Sequence, residues 1–152
     1  MKYSAAEYNV LSYLLKKNVM SYEKAIEWAY SQYTDEGADP FIEKISLASD
    51  VSEMLELISN DFQVYGEPSQ DFLVGEAASK YSKGQLTLYD AIQRILFDLD
   101  LELPEEDQQE LYIAEDYFGW HDQAEKEAVK HVLPIFSKYR PVFESAVAKF
   151  SV

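Results

Sequence analysis

The sequence predicts an all-α fold, a compact multi-helix bundle of about eight or nine helices, on three observations. Helix-start signals recur from end to end. The apolar residues between them fall at spacings of three and four, as one buried face of a helix requires. Only Phe62-Gln63-Val64-Tyr65, before Gly66, alternates in polarity; a lone strand cannot make a stable sheet, so this stretch reads as an interhelical loop.

The elements follow in order. Ser4-x-x-Glu7 opens a helix over 4–17, because a hydroxyl three residues before a carboxylate lets side chains and backbone satisfy the free N–H groups of the first turn. Tyr8, Leu11, Leu14 and Leu15 form its inward stripe. A second helix, over 21–34, carries Ala25, Ile26, Ala29 and Tyr33 at the same spacing. Asp39-Pro40 places an acidic cap before Pro at the first helical position and starts 39–48. Asp50-x-x-Glu53 opens 50–59, and a fifth helix covers 69–83. Thr87-x-x-Asp90 opens 87–99, with Ile92, Ile95, Leu96 and Leu99 on one face. Pro104 precedes 105–117, whose first-turn Glu105, Glu106 and Asp107 suit the positive end of the helix dipole. Asp122-x-x-Glu125 opens 122–139, where Pro134 removes a donor and is expected to kink or break the helix, and a last helix lies near 141–150.

At 152 residues the chain is expected to form one helical domain, with an internal repeat of 1–66 and 67–132 as a further feature. Displacing the sequence by 66 residues aligns Lys17, Ala25, Ile26, Glu36, Ala48 and Asp50 with Lys83, Ala91, Ile92, Glu102, Ala114 and Asp116. The matched features are structural: a polar turn, an apolar residue before a hydroxyl cap, and an Ala-Ile core pair. Two copies of a multi-helix unit would account for them, and so would helices that merely share similar caps.

The chain carries 28 Asp and Glu against 13 Lys and Arg, a formal charge of −15, while 47% hydrophobic residues argue against an acidic disordered tail. The charge is local. Residues 1–94 hold 15 acids and 8 bases (−7), residues 95–125 hold 11 acids and no base (−11), and 126–152 hold 2 acids and 5 bases (+3). A negative surface repels phosphate backbones and anionic lipid, so no nucleic acid and no membrane is expected as partner, and a basic protein is. The absence of cysteine excludes disulfides and thiol chemistry, and with no stretch of signal-peptide or membrane-span character the protein is expected to be cytoplasmic.

Within 95–125 the candidate partner-binding residues are Asp98, Asp100, Glu102, Glu105, Glu106 and Asp107 as electrostatic contacts, with Tyr112, Tyr117 and Trp120 as anchors. Charge steers encounter and buried aromatics supply binding energy. Part of such a run is ordinarily a solvated helix face, but the complete lack of cations departs from the offsetting pairs that surface helices use. No cofactor and no metal are expected. Asp98-x-Asp100-x-Glu102 imitates the opening of an EF-hand, yet Leu103 stands where the sharp turn needs Gly and Gln109 where a bidentate Glu belongs. His121 and His131 have no zinc-site spacing; His131 lies one helical turn after Glu127, and His121 suits a cap or an interface. Nucleophile elbows and glycine-rich phosphate loops are missing, so no catalytic residue is assigned and the chain is read as a non-enzyme.

Ala25-Ile26-Glu27-Trp28-Ala29, Asp39-Pro40-Phe41-Ile42 and the Asp98 to Asp122 segment, in a small acidic helical chain without cysteine, resemble uncharacterised acidic bacterial proteins of the toxin-immunity type. The resemblance implies an acidic face that occludes the basic active site of a cognate toxin such as a nuclease, with fast electrostatic association. Two other classes stand beside it. One is a helical-repeat scaffold or adaptor using the groove between two similar halves; the other is an enzyme with a carboxylate metal site.

Overall fold

The computed structural model describes residues 3–64 and 67–152, and among them it contains eight α-helices, one π-helical turn and no strand, in agreement with the all-α expectation. The helices are α1 (Ala5–Lys16), α2 (Tyr22–Ser31), α3 (Pro40–Ser46), α4 (Val51–Phe62), α5 (Gln70–Ser82), α6 (Leu88–Gln93), α7 (Glu105–Tyr117) and α8 (Ala124–Ala148), with the π-turn (Arg94–Asp98) directly after α6. They divide into two compact units, Met1–Pro68 with Ala146–Val152, and Ser69–Ser145.

In the first unit α1 packs on α4 and α2 on α3. Leu11, Leu14, Ala25, Trp28, Ile45 and Ile58 are buried there. The capping box predicted at Ser4 is complete: Ser4 Oγ accepts from the Glu7 N–H at 3.1 Å, and Glu7 Oε1 accepts from the Ser4 N–H at 2.8 Å. The other Glu7 oxygen accepts from Lys149 Nζ at 2.7 Å, linking this cap to the end of the chain. The Lys149 hydrogen bond, followed by that from the Ser4 backbone, holds the Glu7 carboxyl below its ordinary value of 4.5. A lowered folded-state value means that the contribution of Glu7 is complete above the unfolded value and is lost as pH falls through the folded one. Glu7→Gln should therefore cost about 1 kcal/mol at neutral pH, and less as the pH drops below 4.5. Urea denaturation of both proteins at neutral and acid pH measures the difference, and a pH-independent gap would contradict the assignment.

Two helix-to-helix turns share one hydrogen-bond pattern. After α1, the N–H groups of Lys17, Asn18, Val19 and Met20 donate to the carbonyls of Tyr13, Leu15, Leu14 and Leu14. After α5, those of Lys83, Gly84, Gln85 and Leu86 donate to Ser79, Tyr81, Lys80 and Lys80, each displaced by 66 residues from its counterpart. Asn18 (φ 57°) and Gly84 (φ 74°) occupy the left-handed position that closes such a turn. Ser21 and Thr87 then cap the next helix by accepting from the N–H three residues on.

Boundaries depart from the sequence expectation where polar residues find better partners. The helix expected over 21–34 ends at Ser31, where Thr34 and Gly37 exchange backbone hydrogen bonds of 2.8 and 2.9 Å across a tight turn. The expected loop at Phe62 to Tyr65 begins one residue late, because α4 runs through Phe62 and stops on left-handed Gln63 (φ 54°); Tyr65 and Gly66 lie outside the described residues. The helix expected over 87–99 opens into the π-turn after Gln93, with the Leu99 N–H bonded to the Arg94 carbonyl at 2.9 Å. The widened turn lets Arg94 Nη2 reach the carboxylate of Glu76, 3.2 Å away and buried on α5. No break separates 122–139 from 141–150: α8 is one helix of 25 residues with Pro134 and Pro141 inside it. Both prolines are exposed and lie seven residues apart on one side, so the carbonyls they leave unbonded can bond water.

The second unit is organised around α5, in which every residue from Phe72 to Ser79 is buried. Val74, Ala77 and Ala78 of α5 meet Ala91 and Ile92 of α6, Leu111 and Ala114 of α7, and Val132, Ile135 and Phe136 of α8 in one apolar cluster. Gly75 lets α5 approach α8 closely, since a Cβ there would lie 2.3 Å from the Tyr139 carbonyl oxygen and 2.9 Å from Phe143 Cβ.

Candidate functional acidic surface

The carboxylates of 95–125 reach the surface through two local devices in the second unit. The first is the extended segment between the π-turn and α7. Side chains alternate sides along extended backbone, and here Leu101 and Leu103 turn inward while Asp100 and Glu102 are exposed, as is Asp98 at the end of the π-turn. Leu101 and Leu103 pack on the apolar cluster. Gln70 pins the segment by bonding both backbone groups of Glu102, at 2.8 Å to its N–H and 2.9 Å to its carbonyl. The acid-apolar alternation that resembles a calcium loop is thus a register of burial, and among the described residues no three Asp, Glu or His side chains are grouped to hold a metal ion.

The second device is α7. No side chain caps its first turn, so Glu105, Glu106 and Asp107 supply the negative charge that its free N–H groups favour. Leu111 and Ala114 fix the inward face, which leaves Glu105, Glu106, Tyr112 and Asp116 exposed. Asp107 turns toward α8, where it accepts from Lys138 Nζ at 2.6 Å and from the Tyr139 hydroxyl at 2.9 Å. The hydrogen bond to Asp107 raises the Lys138 pKa; burial first, and then the same carboxylate, raises that of Tyr139. Glu110 Oε2 lies 2.5 Å from His131 Nδ1, and Glu115 accepts from Gln93 Nε2 at 3.2 Å. Lys138 of the basic C-terminal stretch therefore offsets the charge of Asp107, and His131 bonds Glu110. The other nine of the eleven acids have no Lys, Arg or His nitrogen within 4 Å among the described residues.

Of the candidate anchors, Tyr112 and Trp120 are exposed, and Tyr117 is half-buried. Both histidines of the chain pack on the Tyr117 ring, His121 at 5.6 Å and His131 at 5.7 Å between centroids, with Trp120 at 5.8 Å. α8 starts at Ala124, two residues after the Asp122 at which the sequence places its opening, and in the turn before it the His121 Nδ1 accepts from the Gln123 N–H at 3.0 Å. His131, one helical turn after Glu127, is a half-buried helix residue. Glu127 holds Lys130 with both oxygens at 3.1 Å, a contact that lowers the Glu127 pKa, and His131 faces Glu110 across the helix pair. Between α7 and α8 a shallow groove of about 450 Å³ is lined by Glu106, Asp107, Glu110, Lys130, His131 and Lys138, so acids and bases share it.

Phe97 and Ile113 also belong to this surface, although neither was a sequence candidate. Phe97 is exposed and meets the Tyr112 ring edge-on at 6.1 Å, and Ile113 is exposed beside it. The signal for Ile113 lay in the helical register, because positions 112 and 113 fall opposite the Leu111 and Ala114 stripe. Phe97 had no such signal, since the π-turn shifts the register that would place it. None of the described helices is long and apolar enough to cross a membrane. Comparison of the chain with protein families, curated proteins and solved structures returns no match in any of the three.

Proposed function

We propose that the protein is a binding protein whose acidic face on the second unit engages a basic protein partner, in the manner of an immunity protein that neutralises a cognate bacterial toxin. The observation that carries this reading is the set of nine carboxylates in 95–125 without a cationic partner among the described residues, interspersed with exposed aromatic rings. Unpaired carboxylates attract a cationic surface from a distance, and the rings supply area that becomes buried on contact. Asp98, Asp100, Glu102, Glu105 and Glu106 make the electrostatic contact, while Asp107 acts from within by anchoring α7 to Lys138 and Tyr139.

The test is charge reversal at exposed positions only. Asp98→Lys, Glu105→Lys and Glu106→Lys together should abolish capture of a basic partner from host extract at low salt while far-UV circular dichroism is unchanged. Capture of the same basic protein by the folded variant would refute the reading. A second reading, a helical-repeat adaptor, is favoured by the two turns of identical hydrogen-bond pattern. It predicts a partner that the triple variant still binds.

A further inference from the structure

The carboxylates and rings of the second unit share one side of α7. Leu111 and Ala114 face inward, so Glu105, Tyr112, Ile113 and Asp116 line the outer side at spacings a helix stacks into a ridge. Phe97 extends the ridge through its contact with Tyr112. Trp120, one turn beyond Asp116, donates its indole N–H to that carboxylate at 3.2 Å. The three rings are 54% (Phe97), 44% (Tyr112) and 66% (Trp120) exposed, so each keeps area for a partner beside its own ring neighbours, Tyr117 and His121 in the case of Trp120. Asp116 keeps further acceptor positions after accepting the indole hydrogen bond, because an ionised carboxylate has about four lone-pair sites.

We propose that this ridge selects arginine over lysine in the basic segment of its partner; the inference rests on the acidic-face reading above and specifies the cation. Charge alone attracts either side chain. Only the guanidinium is planar, so it can lie flat on an exposed ring while its in-plane N–H groups reach a carboxylate at the ring's rim. The Trp120 indole, fixed to Asp116 by its own hydrogen bond, is such a ring with such a rim. Tyr112 is a second ring, one to two turns back along the same side. An ammonium group is compact and strongly hydrated, and it gains little from the ring faces. The partner segment is therefore a basic peptide stretch that presents at least two arginines.

Fluorescein-labelled octa-arginine and octa-lysine, titrated into the intact protein at about 0.15 M salt, separate the possibilities by anisotropy. Octa-arginine should bind about 5- to 20-fold more tightly than octa-lysine, and the ratio should fall to within about 2-fold in Tyr112→Ala/Trp120→Ala. Tryptophan emission gives a readout that needs no variant. The chain has two Trp, and Trp28 is fully buried in the first unit, so a change on adding unlabelled octa-arginine but not octa-lysine reports Trp120. Equal affinity for the two peptides, with both lost in Glu105→Lys/Glu106→Lys, overturns arginine selection and leaves the acidic face standing. An arginine preference that survives in Tyr112→Ala/Trp120→Ala also overturns it. Failure of both peptides to bind removes the selection and the acidic-face reading together.

Discussion

Alanine in place of Gly75 should destabilise the protein by about 2 kcal/mol or more, although alanine favours a helix interior over glycine by about 1 kcal/mol. The sign is set by what lies opposite. A Cβ at position 75 would stand 2.3 Å from the Tyr139 carbonyl oxygen and 2.9 Å from Phe143 Cβ. The first of these is backbone inside α8 and cannot swing aside as a side chain would, so the two helices must separate. Separation loosens the contacts that Val74 and Ala78 make in the apolar cluster with Ile135 and Tyr139. Urea denaturation followed by circular dichroism measures the change, with the midpoint shifting at unchanged slope. Stabilisation by about 1 kcal/mol, the gain of an unhindered helical glycine, would show that α5 and α8 do not meet at this point.

Trp28→Ala is expected to have the largest effect in the first unit, a loss of about 3–5 kcal/mol. Trp28 is wholly buried, with Tyr3, Tyr8 and Phe150 rings around it at centroid distances of 5.1, 6.2 and 4.9 Å. Its indole N–H donates to the Tyr3 hydroxyl at 3.3 Å, and that hydroxyl donates to the Lys149 carbonyl at 2.9 Å. Removal of the indole therefore opens a cavity and detaches a hydrogen-bonded link to the chain's last residues. Trp28→Phe keeps a ring in the cluster and should cost less than the alanine variant. Unfolding should be followed by circular dichroism, because Trp120 is the only indole left. Equal losses from the phenylalanine and alanine variants would show that the hydrogen bond, and not the volume, dominates.

How much was legible in the sequence depended on the range of the interaction. The N-terminal cap at Ser4 follows from a partner three residues away and the start of α7 from Pro104 before it, and both stand as the sequence predicts. The uninterrupted α8 was not legible, because a proline's cost depends on whether its side of the helix meets water, and Pro134 and Pro141 both do. The π-turn was equally hidden: it brings Arg94 to a carboxylate eighteen residues earlier in the chain. In the acidic segment, composition identified the charge, while α8 decided its distribution by taking up Asp107 and Glu110.

By itself, the sequence determined the helical class, most helix starts and the confinement of −11 of the −15 charges to 95–125. These depend on local hydrogen bonding, hydrophobic period and counting, none of which needs the fold. Only the tertiary structure decided which carboxylates remain unpaired, which rings stand open beside them, and why position 75 must be glycine. Each of those is settled by a neighbour distant in sequence, Lys138 for Asp107, Phe97 for Tyr112 and Tyr139 for Gly75. Charge and packing act through space, and a residue's spatial neighbours exist only once the helices have met.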